Sequence, residues 1–320
     1  MNERLRNESG QALILSVAFG IVLLGSVALS LDVGSWFRQH RQAQTTADAA
    51  ALAGAQSLPS ADTGAATAAA QDYAGKNGGG VDAGNGITFR SDFTTNDTVV
   101  VRVTRSAPGF FSGIDTTLVH AHAAARSAVP QSVKGAAPIV VNITHQYLSG
   151  TVNGVRCPCF NQDTSIPLGK NGAPGSFAIV DLSAFVDDDT HNRCGPPPNG
   201  NVGTSTIAEW IRYGYPNYLD LGCYDSRPGA DFEASSVESA MQARKNSTLL
   251  FPVYDTLQGQ GSNAQYHIIG WAAFYVEDFS AQGNSGEVDG QFKQVIWDGI
   301  QSSSGPGGPD YGVHSIALVN

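Results

Sequence analysis

The chain has 320 residues, 42% of them hydrophobic and only 14% charged, with a formal net charge of −10. Such a hydrophobic share can bury a core in one large or two modest domains and excludes global disorder. The acidic balance excludes nucleic-acid binding through a phosphate-neutralising surface and does not fit a polybasic lipid reader.

Residues 1–11 form a short tail carrying Arg4 and Arg6, and from Ala12 to Leu31 runs ALILSVAFGIVLLGSVALSL without a charge. At about 1.5 Å of rise per residue this covers roughly 30 Å, the hydrocarbon thickness of a bilayer, and predicts a transmembrane helix over 12–31. Asp32, Arg38 and Arg41 follow it, so the positive-inside comparison nearly balances. The four cysteines, Cys157, Cys159, Cys194 and Cys223, all lie in the C-terminal half, and an even number suits disulfides in an oxidising compartment. That places the N-terminus in the cytoplasm and everything after Asp32 outside a cell membrane crossed once. A cleaved signal peptide is the competing reading, with Ala28 and Ser30 as a small-x-small site, but the apolar run is longer than a signal core.

Trp36 to Leu58 contains no proline and no glycine before Gly54, so the membrane helix is expected to continue outward as a rod. Ala47, Ala50, Ala51, Gly54 and Ala55 form a stripe of small residues on it. Such a stripe permits close approach, either to this chain's own sheet or to helices of other single-span subunits. The second alternative makes these five the candidate partner-helix contacts.

The stretch from Ser9 to Leu58 resembles the N-terminal module of TadG-like proteins of the Flp (tight adherence) pilus system. The resemblance rests on the Gly10-Gln11 entry, the apolar span, Asp32-Val33-Gly34, the polar helix and Ala47-Asp48-Ala49-Ala50-Ala51-Leu52-Ala53-Gly54-Ala55. It implies a membrane-anchored accessory protein of pilus assembly, adhesion or associated secretion, whose partners are the lipid bilayer and other Flp/Tad subunits. It implies no catalytic residue. Two departures matter. Leu15 stands at the fifth position after Gly10, where pseudopilins cut by a prepilin peptidase carry Glu. Larger family members carry a von Willebrand A domain with an Asp-x-Ser-x-Ser metal motif, and both Asp163-Thr164-Ser165-Ile166-Pro167 and Asp181-Leu182-Ser183-Ala184-Phe185 lack its last serine.

Residues 32–130 read as a pilin-like plan, a long helix laid on a small antiparallel sheet. A second Ala-rich helix spans about Ser60 to Ala74, and GKNGGG (75–80) breaks it. Ile87 and Phe89 alternate, as do Val99, Val101 and Val103, with Asn96-Asp97 as the turn between two strands. Pro108-Gly109-Phe110-Phe111 is expected to plug its aromatics into the helix–sheet seam. A third strand, Thr117 to Ala128, carries His120 and His122 at i, i+2, a spacing open to a metal but more simply a solvated face.

Residues 131–138, within PQSVKGAAP, read as a linker, and 139–320 as an α+β, strand-dominated extracytoplasmic domain that bears the cysteines. Its best strands are Ser176 to Leu182, Leu249 to Tyr254, Tyr266 to Val276, Phe292 to Trp297 and Val313 to Val319, the third being central. Ile207, Trp210 and Ile211 share one face of a helix, and Ser235 with Glu238 offers a capping box to another. A ring closed through Pro158 between Cys157 and Cys159 looks strained, which leaves two pairings of these cysteines with Cys194 and Cys223. A four-Cys zinc site is the alternative, against the spacing.

Nucleophile elbow, zincin and P-loop motifs are absent, so neither enzyme activity nor a resident cofactor is expected. Asp187-Asp188-Asp189, with Asn192 and Asp181, could gather oxygen ligands for Ca²⁺. His191 beside Cys194 invites a nucleophile reading that a disulfide would remove. The alternative to an assembly role is a surface adhesin or ligand-binding module, with Trp210, Tyr213, Tyr215, Tyr218 and Tyr224 as a platform for a glycan or protein.

Overall fold

The computed structural model describes residues 9–110, 116–169, 179–186, 194–195, 202–227, 231–232, 234–259, 264–282 and 285–319. The chain divides into two units, 1–126 with 317–320 and 127–316. The boundary therefore falls after Arg126, ahead of the expected linker.

In the first unit, α1 (Ser9–Ala55) is one unbroken helix of 47 residues. Its apolar segment is exposed along its length, while Asp32, Ala43, Ala47, Ala50 and Ala51 are fully buried further on. A shorter helix, α2 (Gly64–Lys76), buries Ala66, Ala70 and Ala74, which recur every four residues and form one face. Three strands, β1 (Ile87–Arg90), β2 (Thr98–Pro108) and β3 (Thr116–Ala128), form an antiparallel meander. Val99, Val101 and Val103 are fully buried and Arg102 is exposed, but Thr98 and Val100 are buried as well, so the period-two alternation shows only from Val101 onward and the start of β2 is covered on both faces.

The β1–β2 turn is built on Asn96, at φ 51°, and on the nearly buried Asp97. The Asp97 carboxylate accepts the backbone N–H groups of Asp92 (2.9 Å), Phe93 (2.8 Å) and Thr94 (2.9 Å) and the Thr98 hydroxyl (2.9 Å). Burial alone would raise its pKa, but these donors outweigh burial and hold the carboxyl below the ordinary carboxylate range. Because the folded value lies below the unfolded one, this stabilisation is complete above the unfolded pKa and is lost as pH falls through the folded one. Asp97→Asn is expected to cost about 1–3 kcal/mol at pH 7, and much less in acid. Denaturant titrations of parent and variant at neutral and acid pH check this; an equal gap at both pH values would refute it.

In the second unit, β4 (Pro130–Lys134) lies between β10 (Tyr218–Leu219) and β16 (Gly299–Gln301) in a three-stranded sheet. The expected linker is thus a strand followed by core. Ala136 and Ala137 are fully buried, and Ala137 N–H donates to Leu250 O at 2.8 Å. Small apolar side chains that suit a flexible tract are here fully buried, with the backbone bonded to β12 (Ser247–Gln258).

The larger sheet has the order β5 (Val141–Asn142), β12 (Ser247–Gln258), β13 (Gln265–Gln282), β11 (Gly222–Ser226), β9 (Val180–Val186). In addition β14 (Ser285–Lys293) pairs with β13, and β8 (Asp163–Gly169) with β14. The central strand is β13, as its dense apolar run predicts, with β12 along one side and β11 then β14 along the other. Short pieces complete the unit: α3 (Gln146–Ser149), the hairpin β6 (Thr151–Val152) and β7 (Val155–Arg156), and β15 (Val295–Ile296), which pairs in parallel with the start of β17 (Val313–Val319), a strand whose last residues belong to the first unit.

Phe251, Tyr266, Trp271, Phe274 and Phe292 form the fully buried centre. Helix α4 (Thr204–Tyr213) buries Ile207, Trp210 and Ile211 as its pattern predicts, and packs beside α5 (Ser235–Ala243). The capping box does not form. Ala234 is the N-cap of α5, so Ser235 already lies inside the helix and its hydroxyl makes no cap bond.

Candidate functional site

The small-residue stripe of α1 lies at the interface with α2 and β2. Ala47, Ala50, Ala51 and Ala55 are fully buried, and Gly54 is buried beside them. A β-carbon on Gly54 would sit 3.1 Å from Ala66 O, 3.3 Å from Ala70 Cβ and 3.4 Å from Val99 Cγ1. The close approach predicted for the stripe is therefore used within this chain. Its five residues present no free face to a partner helix, because α2 and the sheet already occupy it.

The opposite arrangement holds earlier on the helix. Its most apolar 18 residues have a mean hydropathy of 2.6, and none is buried. A core helix of a water-soluble domain would be mostly covered; this one is long enough and apolar enough to cross a membrane. Where the apolar run ends, the end of β2 meets the helix. Asp32, fully buried, accepts the Phe110 backbone N–H at 2.6 Å, and Ser35 Oγ donates to Pro108 O at 3.2 Å. Phe110 does not plug the helix–sheet seam as expected. Its backbone is held by Asp32 while its ring stays 63% exposed; Phe111 lies outside the described residues.

Residues 10–57 match the family model described as "Putative Flp pilus-assembly TadE/G-like". The N-terminal module is TadE/G-like. Its match begins at the Gly10-Gln11 entry and ends two residues past α1, so it takes in both the apolar segment and the buried stripe. No curated protein and no solved structure matches the chain.

Outside the TadE/G-like module, the cysteines pair differently from the sequence-based expectation. Cys157 bonds Cys159 and Cys194 bonds Cys223. The chain turns at Pro158 tightly enough to bring the Cys157 and Cys159 Cα atoms to 4.6 Å, within the span a disulfide bridges. Spacing suggested strain because it ignored that the locked φ of proline can itself make the turn. Both cross-links belong to the second unit.

Asp181 is fully buried opposite Asp225 in the β9–β11 ladder, and its Oδ1 accepts the Ser183 N–H (3.0 Å) and hydroxyl (2.6 Å). Burial, and then the Asp181 charge, push the Asp225 carboxyl up, against a 3.0 Å bond from Gln265 Nε2. The remaining candidate calcium ligands, Asp187, Asp188, Asp189 and Asn192, lie outside the described residues, as does His191. Among the described residues no group of three or more His, Cys, Asp and Glu side chains gathers as a metal site requires. His120 and His122 are exposed on β3, His120 bonded to Thr104 Oγ1 at 2.8 Å.

The five aromatics do not form one platform. Trp210 and Tyr224 belong to the core, Tyr224 donating to Asp220 O at 2.7 Å, and Tyr215 packs edge-on to Trp210 at 5.1 Å. Only Tyr213 and Tyr218 are exposed. The five are crowded in sequence, and alternation between core and surface separates them. The junction of Asp32, Ser35 and Phe110 went unrecognised in the sequence, although a charged residue ending an apolar run was its signal.

Proposed function

We propose that this chain is a single-span, membrane-anchored structural or accessory subunit of an Flp (tight adherence) type pilus-assembly, adhesion or associated secretion apparatus. The observation carrying this reading is the coincidence of the TadE/G-like match at 10–57 with one helix that is bare and apolar first and packed later. The helix on the β1–β2–β3 meander is read as a pilin-like module, and the strand-rich second unit as the part held away from the bilayer. The two disulfides support an extracytoplasmic location for everything after Asp32, with the N-terminus cytoplasmic. The partners are the lipid bilayer and other Flp/Tad subunits; the role is not enzymatic and uses no cofactor.

Because the stripe is covered, lateral contacts with other subunits are assigned to the bare face. A photoreactive residue placed in cells at Leu24, 72% exposed, is expected to capture single-span Flp/Tad subunits identified by mass spectrometry. Capture of lipid alone, across several positions of this face, would rule out lateral assembly through the span.

A further inference from the structure

We propose that the groove between α1 and the Phe110 end of β2 is a phospholipid site, with Arg38 holding the headgroup phosphate and Leu31 and Phe110 bordering the acyl and glycerol region. The proposal rests on reading residues 12–31 as a membrane span.

The groove is lined by Ser30, Leu31, Gly34, Ser35, Arg38 and Phe110 and encloses about 470 Å³. Its floor is open at Gly34, where a β-carbon would meet nothing within 4 Å. Level along the helix is what selects the occupant. Leu31 is the last of the exposed large side chains of the apolar run, and Asp32 and Ser35 pin the β2 end one and four residues later. At about 1.5 Å per residue those contacts lie within roughly 6 Å of the end of the span, the depth of one headgroup layer. Arg38 is one turn further, and helical side chains lean toward the N-terminus of their helix, here back toward the bilayer. A long arginine placed so reaches a phosphate while its methylenes stay against apolar surface.

Two more features fit a lipid rather than a protein occupant. Phe37 and Phe110 are 66% and 63% exposed at this level, apolar rings that water covers poorly and an interfacial layer covers well. Arg38 and Arg41 also put positive charge here in a chain of net charge −10, complementary to an anionic headgroup. The pinned strand end would then make a second membrane contact beside the helix and restrict how the first unit tilts on the surface.

The test uses the full chain in nanodiscs of phosphatidylcholine with phosphatidylglycerol, released into native mass spectrometry to count retained phosphatidylglycerol. The parent is expected to retain it, Arg38→Gln to retain about fivefold less, as one arginine–phosphate contact implies, and Phe110→Ser to retain less as well. Arg102→Gln, an exposed arginine of β2 outside the groove, should match the parent. Equal retention by Arg38→Gln and parent, or equal loss in Arg38→Gln and Arg102→Gln, overturns the site. Carbonate extraction of the same variants from cells reads the span separately: a chain that is extracted fails the membrane reading itself, whereas one that stays inserted but shows no Arg38 effect fails only the lipid site.

Discussion

Replacing Cys194 and Cys223 together by alanine is expected to lower the unfolding free energy of the second unit by about 3–4 kcal/mol, against about 1–2 kcal/mol for the same change at Cys157 and Cys159. In the chain-entropy account a cross-link stabilises by restricting the unfolded chain, and the restriction grows with the loop closed. The first bridge joins residues 29 apart and the second residues only 2 apart. Cys223 is also fully buried on β11, opposite Val186 of β9 and His267 of β13, so its sulfur fills space that alanine leaves empty. Three of the four tryptophans, Trp210, Trp271 and Trp297, belong to the second unit, which makes intrinsic fluorescence in a denaturant titration a suitable readout. Equal losses for the two double variants would mean that loop closure is not what these bridges contribute.

Where one periodicity dominated the chain, the fold was legible. The alternating valines of β2, the unbroken apolar run of α1 and the dense core of β13 each have one physical reading, and the structure has those elements. Legibility failed where a residue type has two uses. Residues 131–138 suit a linker or packed backbone alike; partners distant in sequence decide, Leu219 and Ile300 for Val133 and Ser132 of the strand and Leu250 for the buried Ala137 after it. Pro158 either strains a short ring or makes its turn. Phe110 is apolar enough for a seam, but the bond from its backbone to Asp32 is a contact across 78 residues that no local pattern encodes.

The small-residue stripe belongs to the same class, and Ala51→Leu decides between its two uses. The substitution adds three carbons to a helix face with no exposed surface, in a seam where even a β-carbon on nearby Gly54 would come within 3.1 Å of a backbone oxygen. Overpacking of this kind is expected to cost the first unit about 1–3 kcal/mol, because α2 or the sheet must move to admit the side chain. Thermal unfolding and limited proteolysis of the full chain measure that cost directly. Assembly, read by the Leu24 crosslink, should then fall only in proportion to the folded fraction, since the bare face of the span is unchanged. A variant as stable as its parent that no longer crosslinks would reverse the assignment. The stripe would have to be uncovered in the assembled state, with α2 displaced and a neighbouring helix in its place.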